Sequence, residues 1–545
     1  MDCHINRRLS EFFTEETAVR AGLTERWGDG DPLIAALEYD SRAVQPGALF
    51  FALSGLHTDG HAYINDAIDR GASVVLHEAE VNEKKTGVIY LKVINSRFAM
   101  SPVAAAFYGF PSRRLVVAGV TGTEGKSTTV SLIWQFLRLM GKRAGFFSTV
   151  EHDDGGGDGI GGARANPEHQ TTPEATAVQR MLWEMAENGC AYAVVEASSH
   201  GLSPRTNRLG DVIFDAAAFT NVTHEHLEFH GTWEQYRDDK ANLFRALDHD
   251  YVKTDIAPLA VINADDGSAD YFAGVTKSKK LSFSVNGKDA DLSLRAIESG
   301  AFGNWYNVFI SGEKAAVDIR DRLPGAFNAG NVLAALLIVS GLTGVPVREI
   351  APLCPQLLPV RGRMTAVNKG QPFEVLVDYA HTPSSFKAIF PPLRARLNRA
   401  GGDRSGGDRN SGDRSGGRII SVFGSAGERD TEKRPEQGKI AAAYSDFIIL
   451  TDEDPRGETP EDILNSIADG VYTGKPDFFR RDENLFLIPD RPAAIRKAIS
   501  LARAGDLVLL LGKGHENTII YKDHVMPFDE IAEAEKALEE TGAIS

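Results

Sequence analysis

The stretch that most constrains this chain is Gly119-Val-Thr-Gly-Thr-Glu-Gly-Lys-Ser127. The residues before it, 113–118, read RRLVVA and are short and apolar enough for a buried parallel strand. After it, Val130, Ile133, Trp134, Leu137 and Met140 recur at helical spacing over residues 128–140. Strand, glycine-rich loop and helix, in that order, cradle phosphate. The glycines let backbone N–H groups approach the anion, and the helix N-terminus favours negative charge. In such a loop Lys126 reaches the terminal phosphates and the Ser127 hydroxyl faces a magnesium ion. Val120 stands where the general G-x-x-x-x-G-K-[ST] pattern has its first glycine. The alternative is a strand-to-helix turn that uses glycine for geometry alone.

A chain of 545 residues suits about three domains. Hydrophobic content of 42% and charged content of 25% describe a globular protein. The net charge of −16 opposes non-specific nucleic-acid binding, so an anionic substrate would have to be held by locally placed Lys and Arg. Cys3, Cys190 and Cys354 are far apart, form no metal-spaced cluster and suit a reducing cytosol. The first residues lack the apolar core of a signal peptide, and no run approaches the roughly 20 apolar residues of a membrane span. A cytoplasmic protein with no nucleic-acid and no membrane partner is expected.

Residues 1–110 read as a first domain, with short strands at 49–53 and 73–76 and a helix at 63–70. Asp40-Ser-Arg42 and residues 56–60 are polar turns, able to bind a ligand or merely to cap a turn. Pro102 and Pro111 bracket the expected boundary. Residues 111–355 alternate strands and helices as a doubly wound sheet would, with a flexible glycine-rich insert at 153–162. A buried strand through residues 191–196 puts Glu196 at its carboxyl end, where open α/β sheets bind ligands. Ser127 and Glu196 then form a pair for magnesium, which takes few direct protein ligands; a capping or salt-bridged carboxylate is the alternative. His224, His226 and His230 hint at metal, but the HExxH pattern is absent and the spacing favours a polar helix start over zinc. Lys240 reads as a helix-surface lysine paired to Asp238 or Glu234. Residues 356–545 form a third region. Its strands at 373–377, 418–423, 446–451 and 506–511 end in the polar loops 378–383, 424–430, 452–456 and 512–516. Within it, residues 401–417 repeat GGDRS, GGDRN, SGDRS; with no apolar side chain they are expected to be a disordered loop without catalytic role.

Together these residues resemble the Mur ligase family of peptidoglycan synthesis. Within it they resemble the MurE branch, which adds a diamino acid to UDP-N-acetylmuramoyl-L-alanyl-D-glutamate. The resemblance runs from about Asp40 to Glu516 and rests on motifs in the family's order. They are DSR, GVTGTxGK[ST], TTP, ExSSHGL, FTN…HL, YxxxK, GxFNxxN, RGRM, DYAHTP, VFGxxGxRD, DxDPR and GKGHE. It implies a three-domain α/β architecture with a central P-loop doubly wound sheet and a C-terminal Rossmann-like domain. The domains would bind the UDP-substrate (1–110), ATP (111–355) and the amino acid (356–545).

The resemblance also implies roles for single residues. Gly122, Thr123, Glu124, Gly125, Lys126, Ser127 and Thr128 would bind ATP, with Asn331, Arg363 and Asp378 as further contacts. Ser127 and Glu196 would serve one magnesium ion; His226 and a carbamylated Lys240 (N6-carboxylysine) would serve a second. Lys126, Lys240 and His226 would thus be the catalytic set. Ser41, Thr171, Thr172, Ser198 and Arg208 match positions that hold the UDP-sugar-peptide, with Arg205 a rival for Arg208. Arg429, Asp454, Arg456, Gly512 and Glu516 match those that read the amino acid. The chain departs from the diaminopimelate-type DNPR pattern at Asp454, and from GTNGK[T] at Glu124 and Ser127. An ionised Asp only accepts hydrogen bonds, which suits a terminal ammonium, as in lysine or ornithine. Arg456 suits a distal carboxylate, as in diaminopimelate, or the α-carboxylate, so the third residue stays open. The implied reaction is amide formation through an acyl phosphate, by a monomer. The rivals are another ligase of the superfamily, such as folylpolyglutamate synthase, and a non-catalytic ATP-binding regulator. The DSR, DPR and GKGHE motifs argue against the first.

Overall fold

The computed structural model describes residues 5–55, 58–168, 170–223, 227–251, 253, 256–300, 303–402, 416–540 and 542, without the side chains of 227, 228 and 400–402. His226, Cys3, residues 56–57 of the first polar turn, and residues 403–415 of the repeat lie outside the described residues. The chain divides into two compact units, Met1–Ser293 with Asn331–Ile350, and Leu294–Gly330 with Ala351–Ser545.

The first unit contains two sheets. The N-terminal one runs in the order Leu23–Trp27, Ile89–Val93, Ala72–His77, Ala48–Phe51, Ala36–Glu38, parallel except for its first strand. The helix Ser96–Phe107 packs its apolar residues on this sheet, Val103 and Phe107 joining Leu76 and Leu91 in one buried cluster. Pro102, one of the two prolines that bracket the expected boundary, lies inside this helix, which ends at Phe107. Proline cannot donate to the carbonyl four residues back, but Asn207 Nδ2 donates to that Phe98 oxygen at 3.1 Å and replaces the missing bond.

The second sheet of this unit orders its parallel strands Ala144–Phe147, Tyr192–Glu196, Val116–Thr121, Ala216–Phe219, Leu259–Asn263, Lys279–Ser284. Helices cover both faces, so the strands are continuously apolar rather than alternating. Because the strands are parallel, residues 122–125, Thr149, Glu196 and Asn221 all lie at one edge. At the start of the glycine-rich stretch 153–162, Asp153 belongs to the sheet rather than to the insert. Asp153 is the buried last residue of the strand Glu151–Asp153; its carboxylate accepts from Trp134 Nε1 at 3.2 Å and from the Gly155 N–H at 2.9 Å.

The second unit holds a sheet ordered Thr365–Ala366, Glu374–Asp378, Leu507–Leu511, Ile419–Phe423, Phe447–Leu450, Leu485–Leu487, parallel after the first pairing. Leu376, Leu509 and Leu511 face one buried cluster and Val375, Val508 and Leu510 the other, the two-sided burial of a parallel sheet. Its polar loops follow strand carboxyl ends, as on the first unit's parallel sheet. Among the described residues no single helix is long and apolar enough to cross a membrane.

Candidate active site

The strand Val116–Thr121 continues through Val120, which pairs with Glu196 on one side and Ala218 on the other. The turn starts only at Gly122, so a glycine at 120 would have no bend to make. Gly122 has φ 152°, and a Cβ there would stand 1.9 Å from Thr220 Oγ1. Gly125 has φ 84°, and its Cβ would stand 2.4 Å from Asn331 Oδ1. Both positions require glycine, by backbone torsion and by space. The helix then begins at Lys126, two residues earlier than its apolar spacing suggests, with Ser127 and Thr128 buried in its first turn. The first turn of a helix has N–H groups without intrahelical partners, which suits it to an anion.

The loop is braced from three directions. The Thr123 N–H donates to Asn221 O at 2.8 Å, and the Glu124 N–H to Asn221 Oδ1 at 3.0 Å. Thr129 Oγ1 donates to Asn331 Oδ1 at 3.2 Å, which brings Asn331 to the loop's base. Lys126 Nζ donates to the loop's own Thr123 carbonyl at 2.7 Å. From the helix Trp233–Arg245, Tyr236 and Lys240 lie four residues apart on one face. The Tyr236 hydroxyl is 3.1 Å from Thr123 Oγ1, and Lys240 Nζ donates to Gly122 O at 2.6 Å. Lys240 is 1% exposed, which overturns the surface reading. Asp238, its expected partner, bonds Arg245 and Tyr271 on the opposite face.

Glu196 is buried and neither caps a helix nor pairs with a cation among the described residues. Its carboxylate accepts from the Thr149 N–H at 2.7 Å and the Thr149 hydroxyl at 3.1 Å. Glu196 ends the strand beside Val116–Thr121, and Ser127 starts the helix that follows that strand's loop; both offer oxygen, the donor type that magnesium takes alongside water and phosphate. Among the described residues no three His, Cys, Asp or Glu side chains gather as a metal cluster. His230 is occupied otherwise. Its Nδ1 is 2.7 Å from Asp239 Oδ2 and its Nε2 3.0 Å from Ser199 Oγ, so no ring nitrogen is left for a metal.

Thr172 joins several predicted residues. Its hydroxyl donates to Glu196 O at 2.8 Å and accepts from the Ser198 N–H at 2.9 Å, and its carbonyl accepts from Arg208 Nη1 at 2.8 Å. Arg208 and Arg97 both donate to Glu174 Oε1 at 2.9 Å. Arg208 Nε and Glu174 Oε2 are buried and make no hydrogen bond, as donor and acceptor respectively, with the described residues. The rival Arg205 turns elsewhere, donating to Phe229 O at 2.8 Å. Ser41 is buried in a turn closed by Asp40, which accepts from the Arg42 N–H at 2.9 Å. Thr171 is half-buried next to Thr172.

In the second unit, Asp378 ends its strand and accepts from the Met364 and Ala380 N–H groups at 2.7 and 2.8 Å. Burial pushes its carboxyl up, and the nearby Arg363 pulls it back. Arg363 lies 4.8 Å from the Tyr379 ring centre. The Tyr379 hydroxyl donates to Glu516 Oε1 at 3.2 Å, and Lys513 Nζ donates to Glu516 Oε2 at 2.6 Å and to Asp454 Oδ1 at 2.9 Å. Gly512 precedes this lysine at φ 106°. Arg456 has φ 54°, and its buried Nε finds no hydrogen-bond partner among the described residues. His515 is held neutral by burial, its pKa lowered to about 3. Arg429 stands exposed on its loop, and no hydrogen bond joins its side chain to the others among the described residues.

Three family descriptions match the chain. They are the Mur ligase family catalytic domain over residues 33–111, the Mur ligase middle domain over 120–339, and the Mur ligase glutamate ligase domain over 409–514. A UDP-N-acetylmuramyl-tripeptide synthetase of Treponema denticola is 49% identical, covering 94% of this chain and 95% of the relative. The chain belongs to the Mur ligase family.

A tripeptide synthetase of Roseiflexus is 46% identical over 94% of this Mur ligase and 96% of the relative. A UDP-N-acetylmuramoyl-L-alanyl-D-glutamate–2,6-diaminopimelate ligase of Geobacillus kaustophilus is 36% identical, with coverage of 94% and 96%. A solved structure carrying that same ligase name matches with TM-score 0.58 and 26% identity, covering 93% of this chain and 95% of that one. A MurF ligase of Thermotoga maritima in complex with ADP shares the fold at TM-score 0.57 and 18% identity, with coverage of 93% and 97%.

In this Mur ligase the loop residues, Glu196, Lys240 and Asn331 come together, as do Thr172, Ser198 and Arg208, and, in the second unit, Arg363 with Asp378 and Asp454 with Glu516. Sequence reasoning passed over the side chains that hold them: Thr149, Glu174, Asn221, Tyr379 and Lys513. Glu174 directly follows the TTP motif and Lys513 lies inside GKGHE, so position in a motif was the available signal.

Proposed function

We propose that this Mur ligase joins a diamino acid to UDP-N-acetylmuramoyl-L-alanyl-D-glutamate, coupled to ATP cleavage, in peptidoglycan synthesis. Residues 1–110, 111–355 and 356–545 bind the UDP-substrate, ATP and the amino acid respectively. The observation that carries this reading is the phosphate loop meeting Glu196, Lys240 and Asn331 at one sheet edge, in a chain 49% identical to a tripeptide synthetase.

Gly122 to Thr128 and Asn331 hold the ATP phosphates, with Arg363 and Asp378 as further contacts. Ser41, Thr171, Thr172, Ser198 and Arg208 hold the UDP-sugar-peptide. Arg208 Nε, which has no hydrogen-bond partner among the described residues, supports Arg208 over Arg205. Arg456, Asp454, Gly512, Glu516 and Arg429 read the amino acid. The D-glutamyl γ-carboxylate attacks the γ-phosphorus and becomes an acyl phosphate as ADP leaves. The amine of the diamino acid then attacks the acyl carbon, loses its proton, and the tetrahedral intermediate expels phosphate. Lys126 offsets negative charge on the transferring phosphoryl group. Magnesium, when bound, neutralises phosphate charge; Ser127 and Glu196 would hold one ion and His226 with N6-carboxylated Lys240 a second. The same reading has the enzyme act as a monomer in the cytoplasm, without membrane or nucleic acid.

The test is phosphate release with UDP-N-acetylmuramoyl-L-alanyl-D-glutamate, ATP and Mg²⁺, run with meso-diaminopimelate, L-lysine and L-ornithine in parallel. One of the three is expected to drive release, and Lys126→Ala to abolish it. Release that no diamino acid stimulates overturns the reading.

A further inference from the structure

The amino-acid residues proposed above are joined by a side chain that the reading did not need. Lys513 is 0% exposed and its Nζ reaches both Asp454 Oδ1 and Glu516 Oε2, at 2.9 and 2.6 Å. The two carboxylates come from different loops, and their side chains are 11% and 33% exposed. The cation therefore lies deeper than either acid, with Asp454 nearly buried and Glu516 partly exposed. Asp454 Oδ1 also accepts from the Ile520 N–H at 2.9 Å, so this oxygen carries two donors and, among the described residues, Oδ2 is the one left to read a ligand. On Glu516 the Tyr379 hydroxyl takes the other oxygen. Each oxygen of Glu516 thus keeps one lone pair, in a fixed orientation.

We infer that Lys513 is a positioning residue for the incoming amino acid, setting the orientation of Asp454 and Glu516 and reducing their combined charge from −2 to −1. This rests on the function proposed above. An ion pair kept only for stability is a weak alternative, since burying a charge to pair it gains little over an apolar side chain. Two acids brought together without a cation would repel, and one would be held protonated and lost as an ionised acceptor.

The test is steady-state kinetics of the full-length chain with ATP, UDP-substrate and the amino acid varied in turn, the amino acid being L-lysine, L-ornithine or meso-diaminopimelate. In Lys513→Met the KM for the accepted amino acid is expected to rise at least tenfold, with KM for ATP within twofold and kcat down less than threefold. Lys513→Met combined with Asp454→Asn is expected to raise the amino-acid KM by less than the product of the two single effects, because both act on the same acceptor. An unmoved KM, or an equal rise for all three substrates, overturns the inference. If Lys513→Met does not fold, the cycle of Asp454→Asn, Glu516→Gln and their double carries the test. Effects on amino-acid KM that miss additivity by at least threefold support a shared cation, and additive effects overturn it. A wild type without amino-acid-stimulated phosphate release removes the function reading. An active wild type with unmoved variants removes only the role of Lys513.

Discussion

At the scale of single residues, backbone geometry and burial make separate demands. Gly125 sits in the left-handed region against Asn331, where a Cβ meets both a torsional cost of about 1–2 kcal/mol and a contact at 2.4 Å. Gly125→Ala is expected to lower the urea midpoint and to raise KM for ATP at least tenfold; an unchanged KM would show that the loop tolerates the side chain. Asp452 illustrates the second demand. Burial raises its pKa to about 6, against the Tyr521 hydroxyl and Arg491, while Glu461 and Asp490 push the same way as burial. A carboxyl whose folded pKa is raised binds its proton more tightly folded than unfolded. Its contribution is therefore favourable below about pH 4 and is lost as pH rises to about 6. With solvent screening the loss is about 1 kcal/mol. Asp452→Asn keeps an oxygen for Tyr521 and is expected to be more stable than wild type at pH 7.5, with the difference vanishing near pH 4. Urea titrations at both pH values check this, and a pH-independent difference would refute the cause.

At the scale of elements, the helix Trp233–Arg245 shows how one register serves two surfaces. Tyr236 and Lys240 face the phosphate loop, Asp239 reaches His230 on the buried side, and Asp238 and Arg245 pair with each other toward solvent. Sequence pattern could place the helix but not decide that Lys240, flanked by acids, turns inward. If Lys240 acts as a carbamate, Lys240→Ala loses turnover and small carboxylic acids such as acetate restore part of it. Near-wild-type turnover without added acid would remove that role. The His230 bonds to Ser199 and Asp239 were equally hidden. Three nearby histidines look alike in sequence, and only the packing of two helices shows that both nitrogens of His230 are taken.

At the scale of the whole molecule, the chain leaves the first compact unit at 293 and returns to it at 331. The returning helix is apolar all round, with Val332, Leu333, Leu336 and Val339 each 0% exposed. A fragment ending at residue 293 lacks it and is expected to aggregate without a cooperative urea transition; cooperative unfolding like that of the intact chain would show the helix to be dispensable. The sequence by itself determined the strands that lead into its motifs, their alternation with helices, the phosphate loop and the polar loops at strand ends, because burial pattern and turn chemistry are local; strands without a motif, such as Ala144–Phe147 and Leu259–Asn263, were left to the structure. What only the tertiary structure decided is which of these residues meet. Glu196 lies beside Val120 and Thr149 because their strands are neighbours in the sheet. Arg208 rather than Arg205 meets Thr172, Lys240 turns onto Gly122, and Lys513 joins Asp454 to Glu516. Those pairings depend on strand order and helix rotation, which bring distant residues together and leave no local periodicity to read.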